Sequence, residues 1–257
     1  MKTIKNITFV IICFLLISCG INDVELTCEE RIKARLEYVN IARPVDSYNY
    51  PVYPGMPEWS EFQTMEEMIA ACQVPENILN EMSTQAIIQA IWEYPFVLVV
   101  LHRYHYQADF DGTFSGNNAY NALTKRNDAG TALLERLKAT NPLMPLIEGE
   151  PKFLEILISQ DVFLSQLDET QKKAVIIMTL ENDKLRQDCG ESNNNRATAW
   201  LLIGKLLKNA AYEPFIEEMN NNEQLQSFIE NLWHTYFPDY GYIPQLIVSF
   251  ANEYIKS

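Results

Sequence analysis

Phe96-Val97-Leu98-Val99-Val100-Leu101, introduced by Tyr94-Pro95, is the stretch on which the fold class turns. A run this apolar fits a buried strand or a buried helix, and periodicity does not separate the two. Two features favour the helix. Tyr104 and Tyr106 extend the run past strand length, and the flanking segments offer no partner strand. Only nine glycines occur in 257 residues, with no Asn-Gly or Asp-Gly turn between alternating apolar runs, so little room is left for a sheet. The run is therefore expected to be a helix buried on most sides.

Working outward, the text stays helical. Upstream, Thr64 and Glu67 have capping-box spacing and lead Met65, Met68, Ile69 and Cys72 along one face until Pro75. Pro75 opens a brief helix to Met82, and Ser83 or Thr84 caps a helix carrying Ile87, Ile88, Ile91 and Trp92. Downstream, Asp128 caps a helix to Thr140 with Ala132, Leu133 and Leu137 as its stripe, and short helices follow at 153–158 and 162–167. Asp168 caps a long one with Ala174, Val175, Ile177, Met178, Leu180 and Leu185, ending near Cys189-Gly190. After the turn at 192–195, helices are expected at 197–212, 214–219, 225–237 and 243–255. Short connections between so many helices predict an all-α fold of stacked helical hairpins, either an armadillo-like α/α array or a compact multi-helix bundle. No strict repeat supports a regular TPR or ankyrin array.

The chain's start has a different character. Lys2 and Lys5 precede an apolar core from Ile7 to Ile17 that is short for a membrane span, and Leu16-Ile17-Ser18-Cys19-Gly20 has the lipobox arrangement of bacterial lipoproteins. Residues 1–18 read as a signal peptide and Cys19 as the lipidated mature N-terminus. Residues 19–63 then hold a short amphipathic helix at 29–41, opened by a Thr27/Glu30 capping box, and a Pro/Tyr-rich linker at 43–57. Packing of the tyrosines on the helical body is favoured over a ligand platform. Residues 64–257 form the all-helical domain. These features predict a cell-envelope protein anchored in the outer membrane through the lipid on Cys19.

Composition narrows the functional classes. A formal charge of −14, more acidic still once Lys2 and Lys5 are removed, repels nucleic acid and excludes that role. Apolar residues at 47% suffice for a packed core. With Cys19 acylated, Cys28, Cys72 and Cys189 remain in a disulfide-permissive compartment, which permits one bridge in any of three pairings. Their wide spacing lacks the C-x-x-C pairs of a zinc site.

The densest polar cluster is 102–112. His102 and His105 are three apart, so on a helix both face one side and could share a metal with Asp109 or Asp111. The spacing lacks the glutamate of H-E-x-x-H. Residues 107–118 can also be laid on a calcium loop, but Gln107 and Asn118 stand where aspartate and the closing glutamate belong. There is no G-x-S-x-G, no phosphate-binding glycine loop and no G-x-G-x-x-G. Glu148 and Glu150 flank Gly149 before Pro151, an arrangement that suits a helix N-terminus better than a glycosidase pair.

Trp59, Thr64-Met65-Glu66-Glu67-Met68, Ala71-Cys72-Gln73-Val74-Pro75-Glu76, Met82-Ser83-Thr84, Tyr94-Pro95 and Lys125-Arg126-Asn127-Asp128-Ala129 form a pattern over the first half of the mature chain. It resembles a group of helical lipoproteins and secreted proteins of gut Gram-negative anaerobes that have no assigned activity. The resemblance implies an armadillo-like or related helical fold and envelope placement, and carries no catalytic residues. Together these readings predict a non-catalytic, lipid-anchored scaffold or binding protein without a cofactor, presenting a groove to a protein or glycan. The alternative is an envelope hydrolase or metal-dependent enzyme using the His102–Asp111 cluster.

Overall fold

The organising helix is Asn193–Asn209, in which Arg196 to Gly204, Leu206 and Leu207 are all buried and only the first turn is exposed. A helix apolar almost all round belongs at the centre of a domain, and the others are arranged about it. In the computed structural model, which describes residues 27, 28, 30, 42–102, 106–143, 149–231 and 242–257, a 3₁₀ turn (Pro57–Glu61) precedes fourteen α-helices. They are α1 (Met65–Ala71), α2 (Glu76–Leu79), α3 (Thr84–Trp92), α4 (Val97–His102), α5 (Tyr106–Phe114), α6 (Asn118–Leu123) and α7 (Ala129–Lys138). They continue with α8 (Glu150–Ile158), α9 (Asp161–Leu164), α10 (Glu169–Asp188), α11 (Asn193–Asn209), α12 (Glu213–Asn221), α13 (Glu223–Asn231) and α14 (Tyr242–Lys256). No strand occurs among the described residues, so the fold is all-α.

The packing runs in successive layers. α3 packs on α6 and α7, α7 on α8, α8 on α11, and α11 on α10 and α14. One apolar core is continuous from Tyr50 to Tyr254. Two glycines permit the closest approaches. A Cβ on Gly130 would lie 2.6 Å from the Phe163 carbonyl oxygen, and one on Gly204 would collide with Ile229 Cδ1.

Local signals explain the helix starts. Asp168 accepts from Gln171 N while the Gln171 side chain accepts from Asp168 N, a complete capping box. Thr64 caps α1, Ser83 caps α3, and Asn117 caps α6. Asp128 stands at the N-cap of α7 but makes no cap bond, because its carboxylate accepts from the Thr84 hydroxyl at 2.9 Å instead. The Thr27/Glu30 box also forms: Glu30 accepts from Thr27 N at 2.8 Å and Thr27 accepts from Glu30 N at 3.3 Å. Most of the helix expected at 29–41 lies outside the described residues. The segment 43–57 packs on the body: Tyr50 is buried, donates to the Ala90 carbonyl, and meets Tyr48, Tyr53 and Tyr94 ring to ring.

Two apolar faces differ from expectation. Phe96 to Leu101 is helical, but Leu98 and Val99 are 47% and 36% exposed, since α4 packs on α5 and α8 along one side only. In α1, Met65 and Ile69 point outward and Met68 is half-buried; Cys72, just past its end, supplies the contact with the core.

Candidate functional site

α10 and α14 lie antiparallel over α11. At one end they are clamped: the Tyr254 hydroxyl donates to Glu169, and Lys173 lies 5.2 Å from the Tyr254 ring centroid. At the other end they part, and a cleft of about 530 Å³ opens between Leu180, Asp183, Lys184 and Gln187 of α10, Asn193, Arg196 and Trp200 of α11, and Pro244, Gln245, Val248 and Asn252 of α14. Each set repeats at helical intervals of three or four, so three single faces converge.

The floor of this cleft is a buried charged assembly. Arg196 grips Asp183 with two bonds, Nε to Oδ1 at 2.7 Å and Nη2 to Oδ2 at 2.8 Å. Trp200 Nε1 donates to the same Oδ2 at 3.0 Å, and the guanidinium lies 5.1 Å from the Trp200 ring centroid. Fork geometry, an indole donor and cation–π contact together orient the arginine. Its Nη2 also donates to Gln187 Oε1 at 3.3 Å, tying the rim to the floor.

A second pair lies deeper. Arg186 and Glu155 are each 1% exposed and meet at 2.9 Å. Arg186 Nε donates to the Pro142 carbonyl at 3.0 Å, and the Thr198 hydroxyl donates to Glu155. Two desolvated charges are tolerated here because each is paired and further hydrogen-bonded. Beside them, burial pulls the Lys152 ammonium down to about 8, opposed by the nearby Glu191 carboxylate, and burial raises Glu191 above the usual carboxylate value. Glu191 Oε2 is buried without a hydrogen-bond partner among the described residues.

The sequence-predicted site fares differently. Cys19 and His105 lie outside the described residues, as does the side chain of His102, whose backbone ends α4. Asp109 is half-buried and Asp111 exposed on α5, with Asp111 accepting from Gln107 at 2.9 Å. Positions two apart on a helix do not share a face. Among the described residues, no group of three or more His, Cys, Asp or Glu is placed to hold a metal. The calcium-loop frame at 107–118 is overturned, because Tyr106–Phe114 is helix and Asn117 caps the next one. Glu148 lies outside the described residues. Glu150 opens α8 and accepts from Arg136 Nε at 2.7 Å, a structural contact at a helix N-terminus.

Of the three possible cysteine pairings, Cys28–Cys189 forms. Cys72 is fully buried and unbonded, its thiol pushed up to about 11 by burial, which suits a small hydrophobe rather than a nucleophile.

The charged assembly escaped the sequence reading although it left a signal. Thr179, Asn182, Asp183 and Arg186 recur at core spacing on α10 and are all buried, whereas Ala174 and Ile177 of the expected apolar stripe face outward. Comparison with protein-family models, curated proteins and solved structures gives no match to this chain.

Proposed function

We propose that this is a lipid-anchored binding protein of the cell envelope, tethered to the outer membrane through Cys19, that captures a ligand in the α10–α11–α14 cleft and performs no chemistry on it. The observation that carries this reading is the buried Asp183–Arg196–Trp200 floor. An arginine locked by a bidentate carboxylate and an aromatic face is pre-organised, so little rotamer entropy is lost when a ligand binds. The volume falls in the range of ligand sites, about 300–1,000 Å³.

The lining favours a neutral, hydroxyl-bearing ligand, a short glycan. Asp183 neutralises Arg196, and Lys184 pairs with Asp188 at 2.9 Å, so neither sign of charge dominates. Gln187, Asn193, Gln245 and Asn252 surround the opening, and each carboxamide can donate and accept from one plane, as adjacent hydroxyls require. Leu180, Pro244 and Val248 give the apolar strip against which a sugar's C–H face would lie.

The test is thermal unfolding of protein beginning after Cys19 against neutral and charged oligosaccharides, with EDTA controls. A ligand at a hundred times its Kd adds about 2.7 kcal/mol. Neutral glycans are expected to raise Tm, and Gln245→Ala with Asn252→Ala, both at exposed rim positions, to abolish that rise while leaving the unliganded Tm nearly unchanged. A response to charged sugars alone, or one unaffected by the rim substitutions, overturns the assignment of this cleft.

A further inference from the structure

A second groove, sharing no residue with the α10–α11–α14 cleft, runs between α2 and α6 and encloses about 680 Å³. Glu76 and Asn80 stand on one wall, and Asn121, Lys125 and Arg126 on the other, each set at helical spacing. The walls are pinned together at both ends of α2. Before that helix, the Asn118 carboxamide pairs with the Val74 backbone, Oδ1 accepting from N at 3.1 Å and Nδ2 donating to O at 2.6 Å. After it, Arg126 Nη2 donates to the Met82 carbonyl at 2.9 Å. The groove is thus shaped before a ligand arrives, which lowers the ordering cost of binding.

Its charges are uncommitted. The chain has 34 acidic side chains against 20 basic ones, yet the adjacent Lys125 and Arg126 form no ion pair among the described residues. Asp128, the nearest acid in sequence, accepts from the Thr84 hydroxyl instead. Nε and Nη1 of Arg126, the Lys125 ammonium and the carboxamides of Asn80 and Asn121 have no hydrogen-bond partner among the described residues.

We propose that this groove binds the C-terminal carboxylate and last amides of an extended peptide. Guanidinium and ammonium together take the carboxylate through charge-assisted bonds. The carboxamides of Asn80 and Asn121 donate and accept from one plane and so match a peptide amide, as Asn118 already does with Val74. Glu76 on the facing wall leaves two cations against one acid, which suits a single terminal carboxylate and disfavours a polyanion. Leu79 is only 8% exposed and Ala122 is small, so the lining lacks the apolar strip that the first cleft offers to a sugar ring. Recognition therefore falls on backbone and terminus, an established mode of peptide capture.

The full chain is titrated with Nα-acetylated tetra-alanine bearing a free C-terminus, with the same peptide amidated, and with tri-galacturonic acid, each followed by NMR of the side-chain carboxamides. The free acid is expected to shift the Asn80 and Asn121 signals saturably, and the amide to bind about tenfold more weakly or worse. Lys125→Gln with Asn121→Ala replaces two exposed side chains without protein partners, so the fold is kept. That pair is expected to weaken the free acid by about tenfold or more, whereas Gln245→Ala with Asn252→Ala in the other cleft leaves it unchanged. Equal binding of acid and amide, or an affinity unmoved by Lys125→Gln with Asn121→Ala, overturns the carboxylate assignment. Shifts with tri-galacturonic acid but not with tetra-alanine overturn the peptide in favour of an acidic glycan, and no shift with any of the three overturns the site.

Discussion

At the scale of single residues, Arg186 and Glu155 give the sharpest expectation. Each is sealed from water, so their contribution is asymmetric: deleting one partner strands the other as a buried charge, whereas deleting both removes the desolvation problem. Arg186→Met is expected to destabilise the protein by about 3–5 kcal/mol, and Arg186→Met with Glu155→Leu to recover most of it. Urea unfolding of the four forms reads this directly, and simple additivity of the two losses would contradict the pairing. Lys152 carries the pH dependence. Burial holds its folded pKa at about 8, below the ordinary lysine value, so as pH falls through this window the unfolded chain takes up the proton first and the native state loses stability. Stability relative to Lys152→Met should therefore rise between pH 8 and 9.5, and a flat difference across that window would exclude the burial effect. None of these charged residues was singled out from sequence. Asp183 and Arg186 look like the solvated side of a helix when α11 is unknown, and only the three- and four-residue spacing they share with Thr179 and Asn182 hints at burial.

At the scale of elements, the sequence was most legible where local chemistry acts alone. Thr64, Asp168 and one of Ser83 or Thr84 are legible as N-caps because a side-chain oxygen three residues before an orphan N–H needs no tertiary partner; Thr64 and Asp168 cap, and of the pair it is Ser83. Asp168→Ala is expected to cost about 1 kcal/mol, measurable as a shift in the urea midpoint at unchanged m-value. Asp128 has the same sequence signature but is diverted to Thr84, forty-four residues away, which local reading cannot foresee. Burial was legible only where neighbours surround an element. The apolar residues of α3 and α11 are enclosed, whereas Met65, Ile69, Leu98 and Val99 lie on margins where no described helix covers them. Close approach was equally illegible, because nothing local distinguishes Gly130 from any other helical glycine. Gly130→Ala would set a methyl 2.6 Å from the Phe163 carbonyl. Backbone there has to move, so destabilisation of about 1–3 kcal/mol is expected, against the gain of about 1 kcal/mol that the same exchange gives in an open helix. A stabilised Gly130→Ala would mean that α7 and α9 are not in contact at this position.

At the scale of the whole molecule, layers added largely in chain order make the core: α3 packs on α7, α7 on α8 and α8 on α11, while the late helix α13 returns to pack on α5. The Cys28–Cys189 bridge spans 161 residues and links the segment before this stack to its last layers. Constraining so long a loop removes much of the freedom of the unfolded chain, about 5 kcal/mol in the chain-entropy account and about 2–5 in practice. The native state should lose little on reduction, because the apolar core from Tyr50 to Tyr254 contains neither bridged cysteine. Reductant is therefore expected to lower the urea midpoint while leaving the helical circular dichroism of the native baseline in place. Cys28→Ser/Cys189→Ser should reproduce the reduced midpoint without reductant, and Cys72→Ala should retain the full response to reductant, since its buried thiol takes no part in the bridge. Loss of helical signal on reduction would show that the bridge organises the fold itself. An unchanged midpoint would show that the native protein does not close this loop.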